Sequence, residues 1–263
     1  MTKVCIITGA SSGIGRATAE NMVKRGYRVY GISRRGCGMD GVVSLCADVT
    51  DEQAVLNAVH TVMAESGRVD VLINNAGFGI SGAIEFTETA DAERQFQVNF
   101  FGAVRMCRAV LPIMRAQGCG RIVNIGSVAG DIAIPFQSFY SAAKAALCAY
   151  TLALANEVRQ FHITAVCIEP VDICTGFTAA RHKNTQGNDI YSGRISRSVE
   201  KMEHDERNGM SPEAAGAYIA KIASRRSGKP VLMIGAPYKA VGLLKKLLPV
   251  RLVNRIVGVL YAK

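Results

Sequence analysis

Val4-Cys5-Ile6-Ile7-Thr8-Gly9-Ala10-Ser11-Ser12-Gly13-Ile14-Gly15 is the stretch that decides the fold. Its first five residues form a short, mostly apolar run, the pattern of a strand buried on both faces of a sheet. A helical pattern follows to about Arg25. A strand, a glycine turn and a helix in succession set a helix N-terminus against a pyrophosphate. Gly9 permits the tight turn, Gly13 lets the backbone approach a phosphate, and Gly15 lets helix and strand pack closely. The spacing is G-x-x-x-G-x-G, not the commoner G-x-G-x-x-G. A plain glycine-rich turn has the same local composition; its place after a strand favours nucleotide binding.

Outward from this unit the pattern repeats. Further strands are expected at 28–33, 42–47, 69–73, 121–125, 163–168 and 231–235. Between them lie a helix capped by Thr50, a long helical stretch over 87–114, a helix over 138–160, and one opened by Ser211-Pro212-Glu213. This alternation predicts an α/β fold, a Rossmann-like doubly wound parallel sheet flanked by helices. Residues 1–236 read as one dinucleotide-binding catalytic domain, and 237–263 as a basic amphipathic C-terminal helical extension of it. In such sheets ligands bind beyond the carboxyl ends of the strands. Gly9, Arg34, Asp48, Asn75, Ser127 and Pro170 all fall at predicted carboxyl ends.

The second strand ends in Ser33-Arg34-Arg35. A carboxylate there would bind the 2′-hydroxyl of NAD, whereas an arginine accommodates the 2′-phosphate of NADP. The residues present point to NADP, and a solvated arginine pair in a turn is the plainer alternative. On the predicted helix at 138–160, Tyr140 and Lys144 are one turn apart and share a face. An ammonium beside a phenol favours the phenolate and lowers its pKa toward neutrality. A tyrosine so tuned exchanges a proton with a carbonyl or hydroxyl oxygen.

Composition limits the alternatives. The 263 residues are 49% hydrophobic and 20% charged, enough for one large folded domain. No apolar run reaches the roughly 18 residues that span a bilayer. The strand pattern beginning at Val4 leaves no room for a signal peptide, so a cytoplasmic chain is expected. The eight scattered cysteines form no C-x-x-C pair and read as reduced thiols, with no metal site. The net charge is +10, and residues 214–263 carry ten of the 31 Lys and Arg and none of the 21 Asp and Glu. So localised an excess describes the tail, and nucleic acid is not an expected partner.

With these motifs in order, the sequence resembles the short-chain dehydrogenase/reductase family over about residues 3–236. The resemblance rests on Thr8 to Gly15, Asp48, Asn74 to Gly77, Asn99, Ser127, Tyr140, Lys144 and Thr175. It implies Tyr140 as general acid/base, Lys144 as its partner and ribose ligand, Ser127 on the reacting oxygen, and Asn99 holding a relay water. It implies cofactor contacts from Thr8, Gly9, Ser11, Ser12, Gly13, Ile14, Gly15, Ser33, Arg34, Asp48, Val49, Asn75, Ala76, Gly77, Pro170, Val171, Ile173 and Thr175. The family usually has Pro-Gly after the sixth strand. Here it is Pro170-Val171, whose side chain would narrow the nicotinamide end or shift its backbone. A homodimer or homotetramer is also implied.

Residues 176–209 match the family's variable substrate lid. Phe177, Ile190, Tyr191, Ile195, Val199 and Met202 in it, with Phe78, Ile80, Ile134, Phe136 and Phe139, suggest a small hydrophobic substrate. The same residues also suit core packing. The expected reaction is NADP(H)-dependent interconversion of a secondary alcohol and a ketone. A hydroxysteroid is the first substrate expected and a lipid or long-chain carbonyl the alternative. An NADP(H)-binding sensor without turnover is the reading from another class. The run Arg181-His182-Lys183 reads as a solvated loop, with an anionic substrate tail as its other reading. At the C-terminus Leu252, Val253, Ile256, Val257 and Leu260 share a helical face. Residues 238–263 therefore suit packing over the pocket, a subunit contact, or a peripheral membrane contact.

Overall fold

The computed structural model describes residues 1–225, 228–235 and 248–262. Residues 237–247, the first eleven of the predicted basic extension, and Lys263 at its end lie outside the described residues.

Seven parallel strands form the sheet: β1 (Val4–Thr8), β2 (Arg28–Ser33), β3 (Val42–Cys46), β4 (Val71–Asn74), β5 (Gly120–Ile125), β6 (Ile163–Pro170) and β7 (Val231–Ile234). Their spatial order is 3-2-1-4-5-6-7. The order reverses between β1 and β4, which opens a crevice at their carboxyl ends. The alternation of side chains along β1 supplies both cores. Val4 and Ile6 join a cluster with Val55, Val59 and Val110, whereas Cys5 and Ile7 join one with Met22 and Ile219. Helices α1 (Gly13–Lys24) and α7 (Pro212–Ala223) cover the second face. On the first lie α2 (Glu52–Ser66), α4 (Gly102–Gln117) and α5 (Ser138–Glu157). The doubly wound architecture expected from the sequence is the one observed.

Several boundaries differ from expectation for local reasons. Asp51, not Thr50, caps α2, accepting from the N–H groups of Gln53 and Ala54 at 2.9 and 3.0 Å. The Thr50 hydroxyl instead donates to Asp48 at 2.8 Å. β4 starts two residues later than expected, because Val69 N–H is taken by Gln117 Oε1 at 2.9 Å. β6 runs on to Pro170, held by pairing of Glu169 and Pro170 with Met233 and Ile234 of β7. The helical stretch near 87–114 is α3 (Thr89–Phe96), a π-helical turn at Gln97–Phe101, and then α4. Ser211 caps α7 through Ala214 N–H with Pro212 in its first turn, as the sequence suggests.

The lid region holds a short helix at Phe177–Ala180 and α6 (Arg194–Arg207). Between them His182–Lys183 pairs with Ile80–Ser81 as a separate two-stranded sheet. The C-terminal helix α8 (Val250–Tyr261) is tied to α6 by Tyr261 Oη donating to Asp205 Oδ2 at 3.1 Å and by Arg194 donating to the Ala262 carbonyl.

Candidate active site

Glycine geometry builds the floor of the crevice. Gly9 adopts φ +66° and donates its N–H to Ile32 O at 2.8 Å, which turns the chain sharply out of β1. A Cβ on Gly15 would lie 2.2 Å from Gly9 O and 2.5 Å from Asn75 Nδ2, so helix α1 can approach this closely only through glycine. The turns after β1 and β4 are stitched together. Thr8 Oγ1 accepts from the N–H groups of Asn75 and Ala76 at 3.0 and 3.1 Å, and Asn75 Nδ2 donates to Thr8 O and Gly9 O at 3.1 and 3.2 Å. The Ser12 side chain makes no capping hydrogen bond, so the first N–H groups of α1 face the cleft without a side-chain acceptor. Gly13, at φ +53°, sits 3.3 Å from Thr175 measured from an ideal Cβ, leaving a cradle that any side chain would fill.

The residues at the six carboxyl ends singled out in the sequence all line one cleft of about 1530 Å³. Ser11, Ser12, Gly13, Ile14, Ser33, Val49, Ala76, Gly77, Val171, Ile173 and Thr175 line it too. Thr8, Gly15 and Asn99 stand behind the surface and shape it. Arg34 and Arg35 are exposed at the rim, with Ser33 Oγ turned back to Gly36 O at 2.6 Å. The uncapped helix N-terminus, the glycine cradle and a rim with arginine in place of carboxylate fit a nicotinamide dinucleotide.

Tyr140, Lys144 and Ser127 meet at the reacting end. Lys144 is only 4% exposed and its Nζ donates to Ile125 O at 2.7 Å. Burial pulls its ammonium down to about 8. Nζ also lies 5.7 Å from the centre of the Tyr140 ring. Tyr140 departs from the sequence expectation: burial pushes its phenol up to about 12, and the hydrogen bond with Ser127 only partly offsets this. In place of the expected lowering by Lys144, burial of the phenol dominates, with Glu206 and Asp172 adding to it and Arg181 opposing it. Ser127 also caps the short helix behind it, accepting from Ala129 N–H at 3.1 Å.

Asn99 lies within the π-helical turn, a feature that often marks functional sites. Its Oδ1 accepts from Phe78 N–H at 3.0 Å and its Nδ2 donates to Phe78 O at 2.9 Å. The side-chain amide is thus engaged at both ends in holding the loop after β4.

Val171 is accommodated by a glycine across from it. Opposite it stands Gly235, where a Cβ would fall 2.6 Å from Val171 Cγ2. The valine therefore occupies space left by a glycine at the end of β7.

The lid divides the predicted apolar residues. Phe177, Met202, Phe78 and Ile134 line the cleft, and the Phe177 ring lies 5.7 Å from that of Tyr140. Ile195 and Val199 are buried core, Ile190 is exposed, and Tyr191 meets Phe136 edge to face and donates to Glu85. Arg181 is not in a solvated loop. Its side chain is fully buried, stacked over Phe177 and ion-paired to Glu206, which also accepts from Thr178 Oγ1 at 2.6 Å. Sequence reasoning missed Glu206, because a glutamate in the charged run of α6 looks like any solvated one. Packing over the pocket, one of the roles the sequence suggested for the C-terminal helix, is seen in α8, which brings Val253, Val257 and Leu260 to the same cleft.

Comparison with known proteins agrees with this geometry. Residues 3–186 match the short chain dehydrogenase family. The chain is 45% identical over 228 residues to a 3-ketodihydrosphingosine reductase of Bacteroides thetaiotaomicron, covering 86% of this chain and 85% of that one. It is 34% identical over 209 residues to a human 3-oxoacyl-(acyl-carrier-protein) reductase, covering 76% and 88%. A short-chain dehydrogenase structure from Streptomyces avermitilis superimposes with a TM-score of 0.84 at 33% identity, covering 94% of this chain and 93% of that one.

Proposed function

The chain belongs to the short-chain dehydrogenase family and is an oxidoreductase. From that premise we propose that it is an NADPH-dependent reductase of a long-chain lipid ketone. The observation that carries the substrate reading is the apolar wall that the lid and α8 add to the cleft of Tyr140, with Phe177, Met202, Val253, Val257 and Leu260 on it. At about 1530 Å³ the cleft exceeds the roughly 300–1,000 Å³ usual for one small ligand, leaving room for a dinucleotide and a long substrate together. Of the two apolar substrates expected from the sequence, the lipid ketone is carried forward over the hydroxysteroid. The Bacteroides relative bears the name of a reductase acting on such a ketone.

In this reading the cofactor supplies the hydride. Ser127 Oγ and the Tyr140 phenol hydrogen-bond the substrate carbonyl oxygen and stabilise the charge that develops there. The phenol, held near 12, is protonated at neutral pH and is the donor to that oxygen. Lys144 offers its remaining N–H groups to the cofactor ribose and to the Tyr140 side of the cleft. Asn99 is a positioning residue that fixes the loop bearing Asn75 to Gly77. Arg34 meets the 2′-phosphate, with the backbone around Asp48 and Val49 beside the adenine.

The test is loss of NADPH absorbance with a long-chain 2-amino-1-hydroxy-3-ketone, set against ketosteroids and small polar ketones and repeated with NADH. Preferential turnover of the lipid ketone with NADPH is expected. Turnover confined to small polar ketones would overturn the substrate reading. Arg34→Asp should move the preference toward NADH, and an unmoved preference would remove Arg34 as phosphate ligand.

A further inference from the structure

We infer that α8 is a lipid-docking surface, which seats the mouth of the cleft on an anionic bilayer. The helix has two apolar faces. Val253, Val257 and Tyr261 turn toward α6 and the cleft. At one residue per 100°, Val259, Leu252, Ile256 and Leu260 fall side by side on the adjoining arc, and Arg255 and Arg251 come next. These four apolar side chains are 46%, 43%, 43% and 55% exposed. A helix needing only to pack over a pocket would carry polar residues on that arc.

Ile256 and Leu260 belong to both faces: they are exposed and they line the cleft. One edge of the cleft therefore borders the exposed apolar stripe. A lipid chain passing over that edge would move from one apolar surface to another without crossing water. Twelve residues span about 18 Å, too short to cross a bilayer and long enough to lie in its interface. Among the described residues, no helix is long and apolar enough to cross a membrane.

Charge selects the occupant. Beyond Glu213 the sequence has ten basic residues and no acidic one, and Arg251 and Arg255 border the stripe. An anionic lipid surface complements this directly. A second copy of the chain does not, because a two-fold contact through α8 would set the same basic tail against itself.

The inference suits the lipid-ketone reading, but its test needs no turnover. The full chain is sedimented with anionic and with zwitterionic vesicles, at low and high salt. The expected result is binding to anionic vesicles that weakens with salt. Leu252→Glu with Val259→Glu, two residues off the cleft lining, should abolish it. Arg251→Gln with Arg255→Gln should weaken binding to anionic vesicles roughly thirtyfold, at about a factor of five per arginine. Circular dichroism melts check that each variant is folded. Lack of vesicle binding by the wild-type chain, or full binding by the Leu252/Val259 variant, would overturn the inference. So would a fall in the mass of the lipid-free protein on that substitution, which would assign the stripe to a second copy. Vesicle binding without turnover of the lipid ketone would count against the substrate reading and leave this one standing.

Discussion

Lys144→Met in the cofactor-free protein should stabilise the fold at neutral pH while removing turnover. Burial lowers the Lys144 ammonium from 10.5 to about 8. Between those values the unfolded chain holds more protons than the folded one, so stability rises with pH through the window from about 8 to about 10.5. Below it the fold bears the whole cost of the buried charge, and a displacement of about 2.5 pH units corresponds to roughly 3 kcal/mol. Methionine removes that cost and fills similar space. It also leaves Ile125 O without the 2.7 Å hydrogen bond from Nζ. That loss costs about 1–2 kcal/mol. The net gain at pH 7 is about 1–2 kcal/mol, a rise in Tm of roughly 2–8 °C for a chain of this size. Near pH 10.5 the charge cost has vanished in the wild-type protein and only the lost hydrogen bond remains, so the sign reverses. Thermal and urea melts of both proteins across this range measure the difference directly. A variant less stable than wild type at pH 7, or a difference that does not shrink as pH rises, would refute the reasoning.

Tyr140→Phe should lower turnover by about 10²–10⁴-fold, the usual contribution of a positioned acid, while fluorescence titration finds cofactor binding nearly unchanged. Retained turnover would remove the general-acid role. Gly15→Ala forces a methyl group to 2.2 Å from Gly9 O, a backbone atom that cannot swing aside. It should cost about 1–3 kcal/mol in urea unfolding and weaken dinucleotide binding, and wild-type values for both would show a looser turn. Asn99→Ala removes both hydrogen bonds to Phe78 and should cost about 2–3 kcal/mol. Asn99→Asp keeps the acceptor for Phe78 N–H but buries a carboxylate and sets its second oxygen against Phe78 O, so it should recover none of that stability in the same melt at neutral pH.

The sheet was legible because its information is local. Val4 to Gly15 states a buried strand, a turn only glycine can make and a helix, and the later strands repeat the pattern with the same turn chemistry. Tyr140 and Lys144 were legible as a pair because one helical turn separates them. Arg181 and Glu206 were not, since nothing in a charged residue's neighbours tells whether its side chain enters a buried pair or solvent. Val171 and Gly235 form a complementary pair visible only once β6 and β7 are adjacent, and 64 residues separate them in the chain. The strand ends that pointed to the cleft were correct. The apolar lid residues were correct only in part, because hydrophobicity marks burial without saying against what.

The proton chemistry shows how burial can outweigh proximity. The spacing of Tyr140 and Lys144 suggests a tyrosine drawn toward neutrality by its neighbour, and in the structure the neighbour is present at 5.7 Å. Yet both groups lie where charge is costly, and burial moves them in opposite directions, the phenol up to about 12 and the ammonium down to about 8. A phenol held that high keeps its proton across the physiological range, which is the form that donates to a carbonyl oxygen; running the other way, the same group must lose that proton before it can take one from an alcohol. The shift comes chiefly from burial of the phenol, an effect that the spacing of the motif does not carry.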